Sequence, residues 1–392
     1  MAEELASVSP KVLKWARISL GLDVGDVSQE IGKSVEIIEN WEAGEASPTY
    51  AQLEKLAYTV YKRPLAIFFM DEPPAEPNLK TEFRTFLSHG ANRLSKDTYL
   101  AVRDAKAKQL YLAEFSPSSV QGEWLKKIGD GLSSQTSMEK VASTAREFLG
   151  VTERAISSTQ KTEASLSIWR DAVEKAGIYV FKRAFKQSDI SGFCLADQGY
   201  PIVYLNNKTS FTRQTFTIFH ELAHLALGTS GICAVDTEYT SDLNQKDRVI
   251  EERCDSFAAE FLVPTKSFKA FDIKEVNDSV LSSIARYFRV SPAVIARKCL
   301  DVDLVTRSEY STLMAHYFRD NWREYKKSEG DESSGNYYNT QLQYLSKRYF
   351  TEAFRNYSAG KISASSLADY LGVKVSSLGS FESRVLTRGQ FE

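Results

Sequence analysis

Cysteine is scarce in this chain of 392 residues, and the few present do not pair. Cys194, Cys233, Cys254 and Cys299 are scattered with no CxxC spacing, which argues against a disulfide framework and against a structural zinc knuckle. No stretch reaches 18 consecutive apolar residues, so no segment reads as a membrane span. The opening residues, Met1 to Leu5, lack a basic region followed by an apolar run. The expectation from these absences is a soluble, cytoplasmic protein with no membrane partner. Charge of one sign is also missing. The formal net charge of −2 gives the whole chain no bias toward nucleic acid or lipid surfaces. Internal repeats and low-complexity tracts are absent. Histidine is rare, at four residues.

A chain this long exceeds one ordinary core, so two or three domains are expected. Residues 1–72 read as short helices. Their apolar periodicity runs through Val12, Leu13, Ala16 and Ile18, then Val24, Val27 and Ile31, then Val35, Ile37, Ile38 and Trp41, then Leu53, Leu56, Ala57 and Val60, punctuated by Gly21, Gly25, Gly32, Gly44 and Pro48. Asp71 to Pro77 is rich in proline, and 73–90 is expected to be a linker. Residues 91–305 begin helical. The period then changes at two strand-like runs, Gly177–Phe181 and Pro201–Leu205. Helices are expected over Thr212–Leu227, stopping at Gly228, and over Arg248–Leu262, ending at Pro264. Residues 306–392 read as a helical C-terminal region, with a polar stretch at Ser328–Ser334. The fold class expected is α+β, mostly helical, with one small sheet.

Two of the four histidines stand four residues apart in His220-Glu221-Leu222-Ala223-His224. On a helix those positions share a face one turn apart, so both imidazoles can reach one metal ion. Glu221 stands beside them as a candidate general base. A catalytic zinc needs a third protein ligand and one open position. Glu251 is the candidate, because Asp255 lies one turn further on and can hold the free N–H of a ligand histidine. Glu252 is the rival ligand, without that support. Cys254 reads as a small packing residue, and His89 and His316 as ordinary surface or core histidines. Zinc suits two histidines and a carboxylate, with manganese or iron as the alternatives.

Residues 165–300 resemble the ImmA/IrrE family of metallopeptidases. The blocks that carry the likeness are Gly192-Phe193, Pro201 to Asn206, Arg213 to His224, and Glu251 to Pro264. The resemblance implies a zincin-like domain with His220, His224 and Glu251 as metal ligands and Glu221 as the catalytic glutamate. It also implies a strand above the motif helix that pairs with an extended substrate, for which Pro201–Asn206 is the candidate. Tyr179 and Tyr204 are candidates for an oxyanion donor. The substrate implied is a regulatory protein, a helix-turn-helix repressor or a neighbouring toxin–antitoxin component. Its cleavage would relieve repression in a stress or mobile-element setting.

Residues 8–70 resemble an Xre/Cro-type helix-turn-helix, with Ser34 to Trp41 as recognition helix and Ser34, Glu36, Glu39 and Asn40 as its exposed contacts. Charge pulls against a plain operator binder. Residues 1–70 hold seven Lys/Arg against ten Asp/Glu, a balance of −3, and no basic residue lies between Ser34 and Glu54. DNA and a partner protein both stay open as ligands for this module. Gly360 to Lys374 looks like a small helix-turn-helix used for packing, with Ser363 as a helix cap. The leading reading is an endopeptidase specific for one regulatory protein. The alternative is a DNA-binding or antitoxin-like regulator whose peptidase-like domain acts as sensor or scaffold. A homodimer is compatible with either.

Overall fold

The computed structural model of the chain describes residues 7–76, 94–115, 122–196, 199–234, 245–315 and 337–387. His89, His316 and the Ser328–Ser334 run lie outside the described residues. Two compact units, residues 1–103 and 104–392, make up the fold, with the division falling inside a helix at Lys96–Phe115.

Among its described residues the first unit is built of helices. α1 (Pro10–Ile18), α2 (Val24–Ile31), α3 (Val35–Ala43) and α4 (Tyr50–Glu54) precede a π-helical stretch at Lys55–Tyr61. Asp23 begins α2 with a reciprocal cap. Its side chain accepts from the Asp26 amide, and Asp26 accepts from the Asp23 amide, both at 2.8 Å. Val12, Leu13, Ala16, Val27, Ile38, Trp41, Leu53, Leu56 and Val60 are buried, one apolar stripe from each element meeting at a common core. Arg17 grips Glu42 with two 2.7 Å hydrogen bonds and ties α1 to α3. Three members of the expected stripes point elsewhere: Ile18 at the end of α1 and Val35 and Ile37 on α3 are exposed, and the buried pair on α3 is Ile38 and Trp41.

The second unit is built on a four-stranded sheet of β1 (Tyr179–Arg183), β2 (Ile190–Leu195), β3 (Ile202–Asn206) and β4 (Gly231–Ala234), in the order β1-β3-β2-β4. β1 and β3 are parallel, and the other two pairings are antiparallel. Strand alternation sorts the side chains. Phe181, Phe193 and Tyr204 form an aromatic layer on one face, with Phe193 and Tyr204 stacked at 5.1 Å and Tyr349 meeting Phe181 edge-on. Val180, Cys194, Val203 and Leu205 face the other way, into the main apolar core.

Against that second face lies α5 (Phe211–Ala226), whose first turn is capped by Ser210 accepting from the Arg213 amide at 3.2 Å. α6 (Gln245–Leu262) packs along α5, with Phe219 stacked on Phe261 at 4.0 Å and Trp169 set edge-on to both rings. Gly192 lets β2 approach α5. A Cβ there would stand 2.6 Å from Thr217 Cγ2 and 2.6 Å from the Tyr204 carbonyl oxygen.

One expectation fails here. Pro201–Asn206 does form a strand, but β3 is internal, hydrogen-bonded to β1 on one side and β2 on the other. Its backbone groups are consumed by the sheet, so it cannot add an extended substrate. Toward the C-terminus, Ser363 caps the helix Ala364–Leu371 by accepting from the Ser366 amide at 3.0 Å. Among the described residues no helix is long and apolar enough to cross a membrane.

Candidate metal centre

α5 and α6 place the polar groups of the site in an otherwise apolar layer. His220 and His224 project from one face of α5, as their spacing requires. Their Nε2 atoms are 3.1 Å apart. Glu251, from α6, reaches both, with Oε2 3.3 Å from His220 Nε2 and Oε1 3.4 Å from His224 Nε2. Glu252 is exposed and takes no part in the cluster.

Each imidazole is held from behind. His220 Nδ1 donates to Asp255 Oδ1 at 2.9 Å. His224 Nδ1 donates to Thr229 Oγ1 at 3.3 Å, and that hydroxyl donates to the His224 carbonyl. Thr229 was not anticipated from the sequence. The signal available was a hydroxyl residue just past the helix end at Gly228, a weak one among many such residues. Gly231 completes the fit, because a Cβ on it would stand 3.0 Å from the His224 ring.

With both Nδ1–H groups engaged, both Nε2 lone pairs point at the same small volume, together with the Glu251 carboxylate. Electron-pair donors this close repel unless a cation lies among them, so this donor set fits a metal ion. The titration behaviour has the same cause. Burial alone would lower both imidazole pKa values, but the anionic and thiol groups around them outweigh it and raise both well above the ordinary range. Burial alone would raise Glu251, but His224 and His220 hold it well below the ordinary carboxylate range. The pocket therefore favours positive charge at its centre.

Glu221 is fully buried on the neighbouring face of α5. Neither of its oxygens accepts a hydrogen bond of ordinary geometry, although the Cys194 thiol lies near enough to interact with the carboxylate. Burial raises the pKa of Glu221, an effect the histidines only partly offset. Tyr179 and Tyr204 are not at this site. Both belong to the opposite face of the sheet, where Tyr179 donates to Glu352 and Tyr204 to Asp104. Cys254 is fully buried in the apolar core beside the site. In the first unit, Ser34, Glu36 and Glu39 are exposed and Asn40 is half-buried, all on or next to α3.

These features are those of a metallopeptidase-like domain behind a helix-turn-helix module. The comparisons agree: a peptidase family model described as the IrrE N-terminal-like domain matches residues 173–300, and a helix-turn-helix model matches residues 13–57. The chain thus carries the arrangement of an N-terminal Xre-type helix-turn-helix followed by an ImmA/IrrE-type domain. No curated protein matches the chain.

Proposed function

We propose that the protein is a zinc-dependent endopeptidase that cleaves one regulatory protein, a repressor of the helix-turn-helix type. The observation that carries this reading is the convergence of His220, His224 and Glu251, whose ligand atoms lie within 4.8 Å of one another. These three residues would hold the ion, with Asp255 and Thr229 fixing the two rings. Zinc is the ion best matched to the set, ahead of manganese or iron, and would supply Lewis acidity for hydrolysis of a peptide bond. Glu221 takes the proton from the attacking water and passes it to the leaving amine. A buried carboxyl with a raised pKa suits that exchange near neutral pH. The strand bordering the sheet beside His224 is β4, and it replaces β3 as the edge onto which an extended substrate adds.

The test is Glu221→Gln, assayed by metal analysis and by incubation with a helix-turn-helix repressor as substrate. Metal content should stay at the wild-type level while cleavage falls at least about 100-fold. Cleavage at the wild-type rate would remove Glu221 from the mechanism. The helix-turn-helix match favours a second reading, in which the chain is a DNA-binding or antitoxin-like regulator with the peptidase-like domain as sensor. That reading expects a salt-dependent shift of the protein's own promoter DNA, unchanged by Glu221→Gln.

A further inference from the structure

We propose a second metal position in this domain, formed by His220, Glu221 and Cys233, that takes a thiophilic divalent cation and excludes the ion held by His220, His224 and Glu251. The ligand atoms of the two triads satisfy the same distance condition, all within 4.8 Å of one another in each case.

The sheet register explains how the sulfur gets there. Cys233 pairs with Gly192, and Gly231 with Cys194, so Cys233 and Gly231 share the face of β4 that lies on α5. Gly231 has no side chain, and the His224 ring lies against it. Two residues on, Cys233 brings its sulfur beside the preceding turn of α5, where His220 and Glu221 stand. The sulfur is also fixed from the side. Arg213 Nη2 donates to Cys233 Sγ at 3.4 Å and to Ser191 Oγ at 3.3 Å. An independent observation points to a cation. Glu221 is fully buried, and neither of its carboxylate oxygens accepts an ordinary hydrogen bond.

The two positions exclude one another because they share a donor. Asp255 occupies His220 Nδ1, which leaves Nε2 as the one coordinating nitrogen of that ring. Charge and softness separate their preferences. Two imidazoles and one carboxylate leave a divalent ion with a net charge of +1. One imidazole, one carboxylate and a thiolate leave it neutral, which is easier to bury. Thiolate also selects softer ions such as cadmium. Binding displaces the thiol proton to solvent. An ion in this position engages Glu221 as a ligand, so that carboxylate cannot take a proton from water. The effect on activity rests on the proposed role of Glu221, whereas the site itself does not.

The test is cobalt(II) titration of the full-length apoprotein, read by absorption. Sulfur ligation gives a near-ultraviolet charge-transfer band, and the ligand field gives visible bands. Wild type should show both. Cys233→Ser and Cys233→Ala should lose the charge-transfer band yet keep visible bands from His220, His224 and Glu251. Glu251→Gln should keep the charge-transfer band, and Cys194→Ser and Cys254→Ser should leave it unchanged. Cadmium should bind wild type more tightly than either Cys233 variant. Absence of the band from wild type, its survival in both Cys233 variants, or its loss with Cys254→Ser would overturn the proposal. None of these readings depends on peptidase activity, so they stand apart from the outcome with Glu221→Gln.

Discussion

An imidazole binds metal well only when its ring is aimed, and His220 and His224 are aimed by different partners. Asp255 holds the first with a carboxylate and Thr229 holds the second with a hydroxyl. A charged acceptor makes a stronger bond to N–H than a neutral one. Asp255→Ala should therefore weaken metal binding by about 10- to 100-fold, and Thr229→Ala by less, at the lower end of the same range. Competition against a chromophoric chelator measures both. Equal losses would mean that the charge on Asp255 has no special part. Gly192 carries a different kind of constraint. The methyl of Gly192→Ala would meet Thr217 Cγ2 and the Tyr204 carbonyl oxygen, each at 2.6 Å. The carbonyl belongs to the sheet ladder and cannot swing aside. Overpacking of this kind costs about 1–3 kcal/mol, seen as a lower urea midpoint with an unchanged slope.

At the scale of elements, what the sequence revealed follows the strength of local signals. α5 was legible because its ends and its function coincide in one run. Ser210 caps it, Gly228 follows it, and the histidine spacing marks one face. β1 and β3 were legible as apolar runs. β2 was not, because Ile190-Ser191-Gly192-Phe193-Cys194-Leu195 contains a serine and a glycine where strand formers are expected. Gly192 is required there because a Cβ would run into Thr217 of α5 and the Tyr204 carbonyl. β4 has four residues, too few for a pattern. The assignment of substrate pairing to Pro201–Asn206 rests on the family resemblance, and the pairing of β3 with both β1 and β2 overturns it. Glu251 was legible for the opposite reason, since Asp255 four residues later is a helical signal. Thr229 and Cys233 were not, because their proximity to the histidines depends on chain folding back after Gly228.

The same scale governs the recognition helix. α3 exposes Val35, Glu36, Ile37 and Glu39, a surface without a single cation to meet phosphate. Each added phosphate contact should steepen the dependence of log K on log salt by about 0.9. The double variant Glu36→Lys, Glu39→Lys should thus bind random duplex DNA more tightly at low salt, with a slope steeper by about 2. Fluorescence anisotropy across a salt series reads this directly. An unchanged slope would show that α3 does not face the duplex at all.

At the scale of the molecule, the two units draw their stability from different sources. The first relies on a small apolar core and the Arg17–Glu42 pair. The second joins a larger core to a cluster of buried donors that bridges α5 and α6. An ion bound by that cluster belongs to the native state of the second unit alone, so linkage acts on that unit alone. At a thousandfold excess over its dissociation constant the ion contributes about 4 kcal/mol. For a unit of more than 200 residues this corresponds to a melting shift of about 10 °C. Calorimetry of the full chain should therefore show two transitions, of which a chelator lowers one. Gly192→Ala should lower the same transition. Glu42→Ala, which strands the largely buried Arg17 guanidinium, should lower the other by the equivalent of about 3 kcal/mol. A chelator that moved both transitions together would mean that the units melt as one, and the ion would then stabilise the helix-turn-helix as well as the peptidase-like fold.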